Sequence, residues 1–161
     1  MDDAAEILLS RLIRNARVAA LGTIRAEGPN VSMVAFVAKE DFSAFFIHVS
    51  RLAQHTVDMR KDKHVSLLIA ETDDGRTDPQ TLARVSIRGS AEPMVVGEPG
   101  YNPIKKSYID QFPTSAPLFE LTISACGGFG REAEDSSQVS QRHTTSPPKP
   151  CKTHPAGEWE G

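Results

Sequence analysis

The chain has 161 residues, 39% of them apolar, and carries 18 basic against 21 acidic side chains for a net charge of −3. That suffices for one globular domain and not for two large ones, and with no basic field it excludes a general attraction to nucleic acid or anionic lipid. No run approaches the roughly 18 uncharged apolar residues of a membrane span, the acidic start lacks the pattern of a signal peptide, and Cys126 and Cys151 form neither a disulfide framework nor a zinc spacing, so the expected location is the cytoplasm.

In chain order, Asp3 stands three residues before Glu6, and Ala5, Leu8, Leu9, Leu12 and Ala16 share one face, which predicts a short amphipathic helix. Arg17 to Arg25 and Val31 to Ala38 read as strands of a hairpin, with Ala26-Glu27-Gly28-Pro29-Asn30 as its turn. Ala44 to Val49 forms a third strand. From Ser50 to Arg60 the period becomes helical, through Leu52, Ala53, Thr56 and Met59, so a strand is expected to run directly into a helix at Ser50. Val65 to Ala70 is a fourth strand, Glu71 to Gln80 a polar loop, and Leu82 to Val96 a long strand with Gly89 as a candidate bulge. Pro103 to Gln111 predicts a helix and Leu118 to Ile123 the last strand, before the run Gly127-Gly128-Phe129-Gly130. The tail from Glu134 to Gly161 holds four apolar residues in 28, seven Ser/Thr and four prolines, too little apolar surface to offset the entropy of ordering. The expected organisation is a folded unit over residues 1–133 and a disordered or divergent tail over 134–161. About six strands and three helices, with hairpin breaks rather than a helix after each strand, predict an α+β, mainly β fold: a small antiparallel barrel with peripheral helices.

The most informative local feature is Val49-Ser50-Arg51-Leu52-Ala53-Gln54-His55-Thr56 at the strand-to-helix junction. Ser50 reads as an N-cap, with Arg51 and His55 one turn apart on one face, and such a helix start attracts a phosphate. The alternative is that Ser50 only caps the helix while Arg51 and His55 are solvated. Arg84, Ser86 and Arg88 form a stripe on one face of a strand, a second candidate whose simpler meaning is a solvated face. The strand Val31 to Val37, including Ser32, Met33 and Val34, can present main-chain groups to a flat ligand or serve as barrel wall. His48 and His64 have no Cys, Asp or Glu at ligand spacing, and neither a phosphate loop nor a nucleophile elbow occurs, so no metal is expected, no catalytic residue can be named, and any catalysis would be carried by a bound cofactor.

Arg17-Val-Ala-Ala-Leu-Gly-Thr23, Gly28-Pro-Asn-Val-Ser-Met-Val34, Ser50-Arg51-Leu-Ala-Gln-His55-Thr56, Asp62-Lys-His-Val-Ser-Leu-Leu68 and Ala83-Arg-Val-Ser-Ile-Arg-Gly-Ser-Ala-Glu92 resemble, in that order, the FMN-binding split-barrel proteins related to pyridoxamine 5′-phosphate oxidase, and above all their haem-utilisation branch. The resemblance spans about residues 5 to 130 and includes Gly128-Phe129-Gly130. It implies a six-stranded split barrel and a homodimer with FMN at the interface. Ser50 and Arg51 would hold the FMN phosphate with His55 beside them, Ser32, Met33 and Val34 would line the flavin ring, and Arg84 would reach toward the flavin of the partner subunit. Haem or a deazaflavin could take the place of FMN, and the substrate would be a small molecule.

Two departures from the oxidases stand out. Leu52 and Val37 occupy places that are basic there, and the oxidase's C-terminal Arg- and His-bearing segment has no counterpart, which disfavours pyridoxamine phosphate as the substrate. The haem-degrading branch implies a haem histidine in a C-terminal extension, and neither His143 nor His154 aligns with it. The reading is therefore a flavin-dependent oxidoreductase of unidentified substrate, with a non-catalytic or haem-degrading haem- or flavin-binding protein as the alternative.

Overall fold

The computed structural model of the protein describes residues 3–120 and 124–131, the last of these as a backbone path; the tail from Glu134 onward lies outside the described residues. Helix α1 (Asp3–Asn15) carries Asp3 and Glu6 in its first turn and Arg14 in its last, charges that suit the helix dipole. It turns Leu9, Leu12 and the buried Ile13 toward the sheet. Strands β1 (Val18–Arg25) and β2 (Gly28–Ala38) form a hairpin whose turn is only Ala26-Glu27. Gly28-Pro29-Asn30, expected in the turn, belong to the strand. Gly28 opens it at φ +131°, a conformation that favours glycine, and Pro29 lies opposite Ile24. Phe36 N–H donates to Arg17 O, so the even-numbered residues of β2 bond toward β1 and the odd-numbered ones away from it. The missing N–H of Pro29 thus falls on the edge away from β1, and β2 meets its other neighbour only at Phe36, Val37 and Ala38.

The chain continues through β3 (Phe45–Ser50), α2 (Gln54–Lys61), β4 (His64–Ala70), β5 (Arg84–Met94), α3 (Tyr101–Gln111), α4 (Ala116–Glu120) and β6 (Ser124–Arg131). All pairings are antiparallel, in the order β1-β2-β3-β6-β5-β4, and β4 pairs back to β1, which closes the barrel. The α+β, antiparallel character expected from the hairpin breaks is therefore present. Gly89 forms no bulge, since it pairs in register with Val65 and Arg131. The final strand is not at Leu118 to Ile123. Residues 116–120 are helical, and β6 starts at Ser124 and runs through the glycines, with Gly127 between Ile47 and Pro93 and Gly128 between Phe46 and Glu92.

Alternation along the strands sends Leu21, Phe36, Ile47, Leu67 and Ile69 inward, each buried, with Ile13 of α1 against them. A second cluster lies outside the barrel, where Val37 and Phe46 meet Tyr101 and Tyr108 of α3 and Phe119 of α4. Elsewhere no described residue covers the outer face. Val18 and Ile24 of β1, Val31 and Met33 of β2 and Leu68 of β4 are exposed, Met33 by 77% and Val31 by 70%. The register joins them in rows, Met33 to Ala20 to Leu68 and Val31 to Gly22 to Ser66. No helix among the described residues is long and apolar enough to cross a membrane.

Candidate functional site

The site builds from the junction between β3 and α2. Ser50 closes β3, and three residues separate it from the helix, so strand and helix are not continuous. The N-cap is Ala53, which has no side chain to offer, and Ser50 is displaced from the capping position by that extra turn. Its hydroxyl instead accepts from Leu52 N–H at 3.2 Å, while its carbonyl accepts from Ala53 N–H at 3.1 Å and from the Thr56 hydroxyl at 2.7 Å. The helix therefore begins without a side-chain cap, and the amides of Gln54 and His55 precede its first internal bonds.

Arg51 lies in this turn, ahead of the helix, and so does not share a helical face with His55 as the spacing predicts. It is exposed, and its guanidinium makes no hydrogen bond or ion pair among the described residues. His55 is half-buried. Burial holds its pKa below the usual histidine value, against an opposing pull from the Asp58 carboxylate. The junction thus gathers a strand-end hydroxyl, an uncommitted guanidinium and an uncapped helix start. That combination suits an anionic group.

Of the three β2 residues, Met33 alone directs its N–H and C=O to the edge that β3 leaves unpaired; Ser32 and Val34 bond toward β1, opposite Leu21 and Ala19. Tyr108 reaches the same edge, its hydroxyl donating to Ala35 O at 3.3 Å. Met33 presents its side chain on the outer face, and Val34 is buried in the core. In the neighbouring row, a Cβ at Gly22 would come within 2.5 Å of Ser66 Oγ, so the Ser66 side chain leans over this position and only a glycine leaves room for it. Arg84 stands at the far margin of this face on β5. Its guanidinium donates to Gln80 O at 3.1 Å and Leu82 O at 3.4 Å, which folds it onto its own loop. Ser86 and Arg88 are exposed beside it.

Sequence reasoning missed Asp58. Its side chain is 1% exposed, at the end of the barrel where α2 meets the hairpin. Gln54 Nε2 donates to it at 2.9 Å, Thr23 Oγ1 at 3.2 Å, Arg25 Nη2 at 3.4 Å and Asn30 Nδ2 at 3.5 Å. The contacts from Gln54 foremost, then from Arg25 and Thr23, hold its carboxyl below the ordinary aspartate value against the opposing effect of burial. The Gln54–Asp58 spacing of four within the helix does not by itself separate this acid from a solvated one, because its other three partners come from β1 and β2. Among the described residues no three His, Cys, Asp or Glu side chains assemble as a metal would require.

Residues 7–125, well over half the chain, match the family described as pyridoxamine 5′-phosphate oxidase. The chain belongs to the pyridoxamine 5′-phosphate oxidase family. No curated protein matches it. Among solved structures, this family member is similar to HutZ, the haem storage protein from Vibrio cholerae, at TM-score 0.72 and 18% identity over 81% of this chain and 92% of that one. It is also similar to a FAD-binding protein from Mesorhizobium loti, at TM-score 0.62 and 15% identity over 79% and 87% of the two chains. The same holds for a putative pyridoxamine 5′-phosphate oxidase from Listeria innocua, at 0.58 and 16% over 81% and 94%. At these identities the likeness is one of fold, and it places the haem-utilisation and oxidase barrels in the same architecture as this one.

Proposed function

We propose that this member of the family binds FMN at the β3–α2 junction and works as a homodimer, a flavin-dependent oxidoreductase acting on a small molecule. The observation that carries the reading is the exposed, uncommitted Arg51 guanidinium between Ser50 Oγ and the uncapped start of α2. Arg51 and the Gln54 and His55 amides would hold the phosphate, and Ser50 Oγ would keep the turn in shape through Leu52 N–H. The exposed apolar side chains of Val31 and Met33 fit an aromatic ring system, and the open main-chain edge at Met33 fits ring donors and acceptors. A bound flavin would supply hydride and electron transfer, while the chain supplies binding and orientation.

The apolar rows of β1, β2 and β4 are the surface a second copy would cover, and Arg84 at their margin would approach the partner's flavin once released from Gln80 and Leu82. Protein purified without added cofactor, then denatured, releases FMN under this reading, and mass spectrometry of the released molecule separates FMN from a deazaflavin. Colourless protein that also fails to take up added FMN overturns it. Similarity in fold to a haem storage protein favours a second reading, in which the chain binds haem without turning it over. A Soret band that develops on haem titration, with no reductant consumed in the presence of FMN, supports that second reading over the first.

A further inference from the structure

We propose that Asp58 is the positioning residue of the phosphate site, holding the first turn of α2 in the orientation at which the Ser50–His55 turn takes an anion; this rests on the FMN reading above. Gln54, the first residue of α2, donates directly to the Asp58 carboxylate. The carboxylate is fastened to β1 by Thr23 and Arg25 and to β2 by Asn30. The Thr56 hydroxyl ties the same turn back to Ser50 O at the end of β3. The stretch that would contact the phosphate is thus held at both ends, to β3 at one and to the hairpin at the other.

A buried ion pair adds little net stability but strongly penalises any orientation that strands its charge. Rotating or sliding α2 would remove Asp58 from its three donors on β1 and β2 at once and leave Arg25 Nε, already without a well-aligned hydrogen bond among the described residues, wholly uncompensated. The network therefore selects one placement of the helix, and an apolar contact at residue 58 would not. Simple electrostatics opposes any direct role in binding, because a carboxylate near the junction repels a phosphate and ties down Arg25. Removal of the charge should tighten anion binding if Coulomb forces dominate and weaken it if positioning does.

The experiment titrates FMN and riboflavin, which lacks the phosphate, into the full-length protein and into Asp58→Asn and Gln54→Ala, read by flavin fluorescence. Gln54 is exposed, so its variant keeps the test open should Asp58→Asn fail to fold. In each variant FMN affinity is expected to fall about tenfold, the scale of one misaligned charge-assisted contact, while riboflavin affinity changes less than about twofold. A general loosening of the structure would lower both alike. Wild-type preference for FMN that persists unchanged in both variants, or FMN binding that tightens in Asp58→Asn, overturns this inference alone. A wild-type protein that binds FMN and riboflavin equally overturns the phosphate reading and the inference with it.

Discussion

At the scale of single residues, Arg51 and His48 show how burial separates a side chain available to a ligand from one committed to the fold. Arg51 is exposed and uncommitted, so Arg51→Ala should leave the melting temperature nearly unchanged, surface changes of this kind falling within about 0.5 kcal/mol. It should weaken FMN binding by about 2 kcal/mol, on the order of thirtyfold, the worth of one charged hydrogen bond. Equal FMN titrations of wild type and variant would refute the role. His48 is the opposite case. Its ring lies 4.2 Å from that of Phe119 and 5.9 Å from that of Tyr108, and its buried Nε2 has no hydrogen-bond partner among the described residues. Burial lowers its pKa from the ordinary 6.5, so the fold favours the neutral ring. That contribution is complete above pH 6.5 and is lost as pH falls through 6.5 toward the depressed value. His55 is displaced in the same direction, so His48→Leu should flatten the acid limb of a melting-temperature profile below pH 6.5 in part. An unchanged limb would show that the His48 ring accepts a proton without cost to the fold.

At the scale of elements, the strands with strict alternation were legible and the irregular joints were not. Val65, Leu67 and Ile69 point inward and Ser66 and Leu68 outward along β4, as period two requires. The hairpin turn was misplaced because Gly-Pro is ordinarily a breaker, and only the missing neighbour on that edge of β2 lets Pro29 remain in a strand. The last strand was misplaced for a related reason. Glycines weaken an isolated strand, yet β6 is bonded on both sides and tolerates them, while Pro113 and Pro117 start helical turns that carry Phe119 to the outer cluster. At the candidate site, the junction's residue types were legible but Ser50's capping role was not, since a three-residue turn intervenes. Asp58 was illegible because, Gln54 aside, its partners are 28 to 35 residues away along the chain. The close pairing of β1 with β4 gives a test at the same scale. Gly22→Ala places a Cβ against Ser66 Oγ and should cost about 1 kcal/mol by overpacking. In a Ser66→Ala background, where that oxygen is absent, most of the cost should vanish. Additive losses in the double-mutant cycle would show that Ser66 already turns away unaided.

At the scale of the whole molecule, the distribution of apolar surface sets the expectation for assembly. The barrel interior and the cluster under α3 and α4 are both closed, yet Val18, Ile24, Val31, Met33 and Leu68 remain exposed on adjoining strands. Single exposed apolar residues are ordinary; a contiguous set in register is a surface that excludes water against a partner. A second copy suits it on the reading proposed here, because the face is continuous with the open edge at Met33 and bordered by Arg84 and Arg88 of β5. Charge introduced at its centre should therefore separate the copies: Val31→Asp combined with Met33→Asp should give a monomer by analytical ultracentrifugation where wild type sediments as a dimer. Both side chains are solvent-facing, so the variant should keep its melting temperature within the change that dissociation itself brings. FMN affinity should fall with the loss of the partner's surface, whereas Arg51→Ala, which leaves the face intact, should lose FMN and remain dimeric. A wild-type chain that is monomeric at the concentration of the titrations, or a double variant that stays dimeric, would remove the interface from the account and leave the junction at Ser50 and Arg51 to bind its ligand from one subunit alone.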